Sequence, residues 1–406
     1  MLIKQARLKD GEPLKDIAIE NGKIIAIEEE IKKEAEQVIE ANGNVLIPGL
    51  VESHIHLDKA LIADREPNKS GTLQEAIQVT AKLKPTFTKE DIMRRAEKTL
   101  EMLIKHGITH IRTHAEFDPE QGFTGFDTIM ELKEKYRDLV DIQIVAFPQE
   151  GILQKPGTEK MMYEALEKGA DVVGGIPYND SLPKEHINIV FELAKTYGKP
   201  IDLHQDFNDE ADSMTISYLC EKTIAEGLEG CVSVGHLTTL AALPPKQLQP
   251  IIEQIARAGI SVMSLPATDL HLGGRQDEHT VRRAVTPIRQ LRDGGVNMCI
   301  ATNNIRNAFT PYGTGDIMQT AMLAIPTAHL GGADDLPTVL PMITSNPARA
   351  LGIRNYGIAP GNPADVVLLD TKSVTEAVID LPTRLVVIKN GVVTVETTKE
   401  VKVYGE

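Results

Sequence analysis

Two histidines, His54 and His56, are separated by one residue at the end of an apolar run. Side chains two residues apart on an extended strand project to the same side, so both imidazoles can reach one ion. Neutral imidazole is a frequent ligand of divalent transition metals. The pair therefore predicts half of a mononuclear metal site, although this spacing alone is a weak signal in a chain that has 11 histidines in 406 residues.

Further polar side chains recur at the carboxyl ends of apolar runs along the chain. The runs end in His114, Gln149-Glu150, His204, His236, Asp269 to His271 and Asn303-Asn304. In a barrel of parallel strands, catalytic side chains come from the carboxyl ends of several different strands. We therefore expect these residues to converge on one rim together with His54 and His56.

The elements that would carry these residues alternate regularly. Between residues 48 and 355, eight short apolar runs alternate with helical patterns, and glycines such as Gly107, Gly198 and Gly259 stand at helix ends. A glycine there can adopt the left-handed conformation that terminates a helix. Eight strands alternating with helices predict an α/β fold, a (β/α)8 TIM barrel. A doubly wound open sheet is the alternative, but no glycine-rich phosphate loop follows any strand.

Both ends of the chain are rich in short β-prone runs. Residues 1–47 contain two such runs around an Asn21-Gly22 turn, and residues 356–406 contain a similar pair around Asn390-Gly391. An Asn-Gly turn between β-prone runs is typical of a hairpin. We expect a small β-sandwich formed by 1–47 and 356–406, with the barrel of residues 48–355 inserted between them.

Composition restricts the class of partner. The formal charge is −15, with no basic stripe to offset it, which argues against nucleic acid and anionic membranes. No apolar run reaches the length of about 18 residues that a membrane span needs. The three cysteines have no paired spacing, which is typical of reduced thiols. We expect a cytoplasmic protein that acts on a small-molecule substrate, and a homo-oligomer is compatible with the sequence.

The chain resembles the amidohydrolase superfamily, within the branch of cytosine deaminase and isopropylammelide isopropylaminohydrolase. The resemblance covers nearly the whole length and rests on ordered motifs. They include PGLVESHIHLDK, RTHAEFD, IVAFPQEGIL, GADVVGGIP, VGHLTTL, LHLGGR, PYGTGDIMQ and YGIAPGNPADVVLLD.

The resemblance implies one divalent metal ion, zinc or iron, in the barrel. Its ligands would be His54, His56 and His204, with a fourth from an aspartate after the eighth strand. His236 would orient the attacking water, and Gln149 would hold the carbonyl edge of a substrate ring. No strand end offers the bridging lysine of binuclear relatives, which favours a single ion.

Two positions depart from the family pattern. Phe207 stands where the resemblance expects the general-acid glutamate, and Asn303 stands where it expects the metal-binding aspartate that deprotonates water. An amide oxygen can bind a metal, but it has no accessible basic pKa and cannot serve as general base. Loss of a general base typically removes roughly 10²–10⁴-fold of rate.

Other residues could fill these roles. Asp206 lies two residues after His204, on the same side if the backbone is extended, and His236 is itself a competent base near neutral pH. Glu116, Glu150 and Asp269 are further carboxylates at strand ends, each of which could instead be a loop residue or the partner of an arginine.

The surroundings of the site also leave alternatives. Phe207 could stack on a planar ring or simply close the pocket. Arg275 could line the substrate entrance or pair with Asp277. Residues 58–87 are expected to form a loop over the mouth of the barrel.

These observations give two hypotheses. The first is a metal-dependent hydrolase that acts on a C–N bond, other than a peptide bond, in a small nitrogen heterocycle or cyclic amide. The second is a divergent barrel without deaminase chemistry, which would act as a small-molecule binding protein or as a metal-independent enzyme.

Overall fold

The computed structural model describes residues 1–405. At its centre is one sheet of eight parallel strands that follow one another in chain order from β6 to β13. Their bounds are β6 (Leu50–Ile55), β7 (Ile108–Glu116), β8 (Asp141–Phe147), β9 (Val172–Gly175), β10 (Ile201–Gln205), β11 (Val232–His236), β12 (Ser261–Ser264) and β13 (Asn297–Ile300). The predicted eight strands and the TIM barrel are confirmed.

The barrel closes where the first strand meets the end of the last one. The backbone N–H of Asn303 donates to His54 O at 2.8 Å, and the N–H of His56 donates to Asn303 O at 3.0 Å. Closure therefore joins the two segments that carry His54, His56 and Asn303, because hydrogen bonds must form between the first and last strands of a closed sheet.

The two ends of the chain form two separate four-stranded sheets. One has the order β3-β2-β1-β4 and the other has the order β16-β15-β14-β5. Their bounds are β1 (Leu2–Ala6), β2 (Lys15–Glu20), β3 (Lys23–Glu28), β4 (Val38–Glu40), β5 (Val45–Pro48), β14 (Val366–Leu369), β15 (Arg384–Lys389) and β16 (Val392–Glu396). The expected β-sandwich is confirmed, and it has a hydrophobic cluster of its own that includes Ile17, Leu46 and Val366.

The apolar run before His54 belongs to both parts of the molecule. Val45–Pro48 pairs with β14 of the sandwich, whereas Leu50–Ile55 pairs with β7 of the barrel. Gly49 separates the two strands at a point where a Cβ atom would lie 2.2 Å from the Thr109 side chain, so the chain passes too close to β7 for any larger residue. This sharp passage fixes the sandwich against the barrel.

Within residues 1–405, eleven α-helices accompany the strands. They are α1 (Leu73–Leu83), α2 (Lys89–Lys105), α3 (Thr124–Tyr136), α4 (Thr158–Glu167), α5 (Pro183–Tyr197), α6 (Ile216–Ala225), α7 (Pro245–Arg257), α8 (Pro266–Leu272), α9 (Ile288–Asp293), α10 (Ile317–Thr327) and α11 (Ser345–Ala350). Among residues 1–405, no helix has the length and apolar character to cross a bilayer.

Residues 58–87, the covering segment, contain more order than the expected loop. α1 occupies its second half, and the Thr72 side chain caps the helix by accepting from the Glu75 N–H. α1 packs through Ala76 and Val79 on a small apolar cluster that also holds Phe207 and Phe309. The segment thus rests on the carboxyl-terminal mouth of the barrel, where the strand ends lie.

Candidate active site

Three histidine side chains meet inside the mouth of the barrel. His54 is in β6, His56 follows that strand directly, and His204 is in β10. Nε2 of His204 lies 3.2 Å from Nε2 of His54 and 3.0 Å from Nε2 of His56. Two nitrogens that bind one tetrahedral ion at about 2.0–2.1 Å lie about 3.3 Å apart. The spacing of these imidazoles therefore fits ligands of a single divalent ion.

The protonation state of the three rings also fits metal binding. All three are buried, and burial is the main cause that lowers the pKa of each well below its usual value. The charges of neighbouring histidines lower these pKa values further, and Lys59 has the same effect on His54 and His56. The imidazoles are therefore neutral, which is the form that donates a lone pair to a metal.

Asn303 supplies an oxygen in the same place. Its Oδ1 is buried and has no hydrogen-bond partner among the described residues. Its backbone has a positive φ of 64°, in the left-handed region that non-glycine residues seldom adopt. A buried, unpaired amide oxygen is costly unless a ligand satisfies it, so this atom also fits a metal-binding role.

Glu52 connects the segment that carries His54 with the segment that carries Asn303. It lies two residues before His54, and its carboxylate accepts from the His54 N–H at 3.2 Å and from the Thr302 N–H at 3.1 Å. Burial raises the pKa of Glu52 to about 7 although these hydrogen bonds oppose the shift. Glu52 thus fixes Asn303 relative to the histidines across the closure of the barrel.

His114 lies close to the same group but has a partner of its own. His54, His114 and His204 offer ligand atoms within 4.8 Å of one another. Nε2 of His114, however, is 3.2 Å from Asp202 Oδ1, and Arg112 donates to the other oxygen of Asp202 at 2.8 Å. This buried polar layer supports the histidines from inside the barrel.

His236 faces the cavity at the end of β11. Its Nδ1 lies 2.7 Å from Asp269 Oδ1. Because the carboxylate accepts, Nδ1 carries the hydrogen and Nε2 keeps its lone pair, as in other histidine–carboxylate pairs. Burial raises the pKa of Asp269, and the bond to His236 opposes that shift. Asp269 therefore fixes the ring and tautomer of a histidine at the cavity wall.

Asp206 does not lie where the alternation of an extended strand would place it. Its φ of 44° turns the backbone into the left-handed region two residues after His204, directly after the end of β10. The carboxylate then accepts from the backbone N–H groups of Thr215 and Ile216 at 3.0 Å each, at the start of α6. It does not line the inner cavity. The side chain caps a helix. The extended backbone that made Asp206 a candidate base is therefore not present.

Phe207 lies next to His236. Its ring is 3% exposed and stacks on His236, with centroids 4.1 Å apart and planes inclined by 8°. Because one face of the Phe207 ring covers His236, that face is not available to stack on a substrate ring. It also packs with Leu272 and Phe309 in the cluster below α1.

Sequence reasoning missed Lys59 as a site residue. Its Nζ donates to Gln149 Oε1 at 2.7 Å and also bonds to Glu116, while the Phe309 ring lies 4.5 Å from it. Both Lys59 and Gln149 line the inner cavity. The signal in the sequence was the position of Lys59, three residues after His56. That signal was not sufficient, because a buried cation needs carboxylate partners and only the fold brings those partners close.

The cavity has two compartments. The inner one lies beside His56, His204, His236 and Asn303. The outer one has a volume of about 430 Å³ and is lined by residues that include Arg275, which places that side chain at the entrance. Asp277 pairs with Arg282 instead, at 2.8 Å.

Leu73, Tyr178 and Phe207 line both compartments and so form the constriction between them. No acidic side chain among the described residues lines the inner compartment. Glu116 and Glu150 lie behind its wall and pair with lysines.

Comparisons with known proteins agree with this geometry. A profile of the amidohydrolase family matches residues 37–395. The chain is 32% identical to the N-isopropylammelide isopropyl amidohydrolase of a Pseudomonas species, with 96% of each protein covered. It superposes on the 5-methylcytosine deaminase of Klebsiella pneumoniae, liganded with 5-fluorocytosine, with a TM-score of 0.95 and 34% identity over 100% of this chain and 99% of that chain.

A second solved structure gives the same result. The N-isopropylammelide isopropylaminohydrolase of Burkholderia multivorans matches with a TM-score of 0.85 and 28% identity over 97% of each chain. The profile match and the relatives of nearly full length show that this chain is an enzyme of the amidohydrolase family, in the branch of the cytosine deaminase-like and isopropylammelide hydrolases.

Proposed function

We propose that this enzyme is a metal-dependent hydrolase that cleaves a C–N bond of a single-ring nitrogen heterocycle or cyclic amide. The observation that carries the proposal is the convergence of the Nε2 atoms of His54 and His56 on His204 Nε2, at 3.2 and 3.0 Å, beside the inner cavity. We assign these three imidazoles and the Asn303 oxygen as ligands of one divalent ion, zinc or iron.

His54, His56 and His204 would hold the ion, which would supply a water of lowered pKa, because a divalent ion held by three protein nitrogens lowers the pKa of water from 15.7 toward about 7. His236 would accept the water proton at Nε2, because Asp269 holds the hydrogen on Nδ1, and would return it to the leaving amine as the C–N bond breaks. His236 is the stronger candidate for the base than Asp206, whose oxygens are occupied at the start of α6, or than Asn303, which has no basic pKa.

Substrate binding is assigned to the opposite wall. Gln149 accepts from Lys59 through Oε1, which leaves its amide N–H groups to donate to an acceptor edge of the ring. One further N–H of Lys59 can donate to the same edge. Phe207 closes the cavity over His236 and limits its access to water. Arg275 stands at the outer entrance and would meet a substituent of the ring.

The names of the relatives favour a single ring. Relatives act on 5-methylcytosine and N-isopropylammelide, a pyrimidine and a triazine. Amino-substituted pyrimidines and triazines are therefore the first substrates to test.

Release of ammonia or alkylamine from a panel of such rings tests the proposal. The panel contains cytosine, 5-methylcytosine, 5-fluorocytosine, N-isopropylammelide and a cyclic urea, each assayed with added zinc, iron or manganese. We expect metal-dependent release from at least one ring, and its loss in Asp269→Asn. No release from any ring with any of the three metals would reject this function.

A binding protein without turnover is the second candidate, favoured by the absence of a carboxylate from the described lining of the inner cavity. The double variant Asn303→Asp with Phe207→Glu discriminates the two candidates. An inactive wild type whose double variant is active would support a pocket that binds rings without hydrolysing them. Turnover by the wild type would reject this second candidate.

A further inference from the structure

The covering segment is attached to the barrel by a buried lysine. Lys84 follows α1 directly and is 3% exposed. Its Nζ lies 2.6 Å from Glu116 Oε2, bonds to Glu150 Oε1 and lies 3.7 Å from Asp118 Oδ2. Glu116 ends β7 and Glu150 follows β8, so one ammonium group connects the covering segment to two barrel strands.

Glu116 connects Lys84 with the wall of the inner cavity. While Oε2 faces Lys84, Oε1 accepts from Lys59, whose Nζ also donates to Gln149 at 2.7 Å. The contacts therefore run without interruption from Lys84 through Glu116 and Lys59 to Gln149. The Phe309 ring bounds Lys59 on a further side.

The charges in this chain of contacts depend on one another. Burial alone would raise the pKa of Glu116, but the Lys59 and Lys84 charges outweigh it and lower the pKa to about 2. Glu116 is thus an anion shared between two buried cations. A buried charge is tolerated only when it is paired, so the removal of one cation changes the force on the other.

We propose that Lys84 is a positioning residue for Lys59, through which docking of the covering segment sets the acceptor-binding edge formed by Lys59 and Gln149. This inference rests on the proposed function of that edge. With Lys84 present, Glu116 divides its attraction between two ammonium groups, and Lys59 is left close enough to Gln149 to bond to it. Without Lys84, Glu116 Oε2 loses the cation that holds it, so the carboxylate and the Lys59 ammonium bound to its Oε1 shift together, away from Gln149.

Three full-length variants test this assignment. Lys84→Met removes the charge and keeps most of the chain length, Lys84→Arg restores the charge, and Lys82→Met is the matched control. Lys82 is also in the covering segment, but its salt bridge to Glu66 is on the surface. Crystal structures of the three give the distance from Lys59 Nζ to Gln149 Oε1. We expect a distance beyond hydrogen-bond range in Lys84→Met alone, and an unchanged contact in Lys84→Met would overturn the proposal.

Steady-state kinetics separates positioning from general damage. On the ring of the test panel that turns over fastest, we expect Lys84→Met to raise KM about ten-fold with kcat within about two-fold, as for the loss of one hydrogen bond to a charged group. Lys84→Arg should bring KM back to within about three-fold of the wild type. A fall in kcat without a change in KM, or no recovery with Arg, would overturn the proposal.

A second variant keeps the test valid if Lys84→Met does not fold. Lys84→Met combined with Glu150→Gln removes one acid together with the cation, so less unpaired charge is buried. The same lengthening of the Lys59–Gln149 distance is expected, and a retained contact contradicts the assignment. If no ring of the panel is hydrolysed, the proposed function fails, but the crystallographic distance still decides the role of Lys84.

Discussion

The Phe207 ring lies flat on the His236 imidazole, with 4.1 Å between centroids and 8° between planes. Phe207 also lines both compartments of the cavity, so one side chain covers His236 and narrows the passage to it. This contact leaves no space for a second planar ring on that face of His236.

Phe207→Ala should therefore change the size of ring that binds. We expect a two-ring purine or pterin to bind at least ten-fold more tightly to the variant than to the wild type, with a free energy of unfolding lower by about 3–5 kcal/mol. Phe191→Ala, which truncates a buried ring of α5, is the control: it should cost similar stability without changing ring preference. Isothermal titration measures the affinity of each variant for one-ring and two-ring ligands, and urea unfolding measures its stability. The same ring preference in the two variants would contradict the assignment of Phe207 as the constriction.

Asp269 and Asp206 are predicted to behave differently when each is changed to asparagine. Asp269→Asn removes the acceptor that fixes the His236 tautomer, so kcat should fall by roughly 10²–10⁴-fold with metal content unchanged. Asp206→Asn weakens the cap of α6, so kcat should stay within about two-fold while stability falls by about 0.5–2 kcal/mol. If kcat falls more in Asp206→Asn than in Asp269→Asn, our assignment of the base is wrong.

Asn303→Asp is expected to strengthen metal binding. The aspartate would add a negative charge next to three neutral imidazoles, and we expect about 10–100-fold higher affinity. Competition with a chromophoric chelator gives the affinity directly. Asn355→Asp, at an exposed position that lines neither compartment, is the control and should leave the affinity within about three-fold of the wild type. Equal affinity of Asn303→Asp and the wild type would place Asn303 outside the coordination sphere.

His110 should make stability depend on pH. It lies far from the cavity, with Nε2 3.2 Å from Asp141, in a cluster where Lys389 bridges Asp141 and Asp365 between barrel and sandwich. Burial, with the Lys389 charge, lowers the pKa of His110 to about 4, although both aspartates oppose this. An unfolded histidine has a pKa of about 6.5, so between these values the unfolded chain binds a proton that the folded protein does not.

Stability should consequently fall as the pH decreases from about 6.5 to 4, by about 3 kcal/mol from this residue. His110→Gln removes the titrating group and should flatten that part of the profile, whereas His279→Asn, an exposed control, should leave it unchanged. Urea unfolding at several pH values measures the slope. Parallel stability profiles for wild type and His110→Gln would show that His110 does not cause the loss of stability at low pH.

The strands of the barrel could be predicted because the sequence pattern of each strand involves only neighbouring residues. Each strand is a short apolar run that ends in polar residues, as Ile201 to His204 and Val232 to His236 show, and the structure places strands at both. The two terminal sheets were predictable for the same reason, from hairpin turns at Asn21-Gly22 and Asn390-Gly391. Local alternation and turn residues survive folding because neighbouring residues determine them.

The parts of the site that the sequence did not reveal depend on backbone turns and distant pairs. Asp206 was predicted beside His204 from strand alternation, but one residue with a φ of 44° redirects it to α6. Lys59 was overlooked because its partners Glu116 and Gln149 are 57 and 90 residues away. The metal ligands His54, His56 and His204 remain predictions, which metal analysis must test.

The central claim is that His54, His56 and His204 bind one divalent ion. Inductively coupled plasma analysis of full-length protein purified without chelator tests it most directly, alongside His204→Asn and the exposed control His279→Asn. We predict about one equivalent of zinc, iron or manganese in the wild type and in the control, and less than about a tenth in His204→Asn. Less than a tenth of an equivalent in the wild type, even after metal is added, would contradict the assignment.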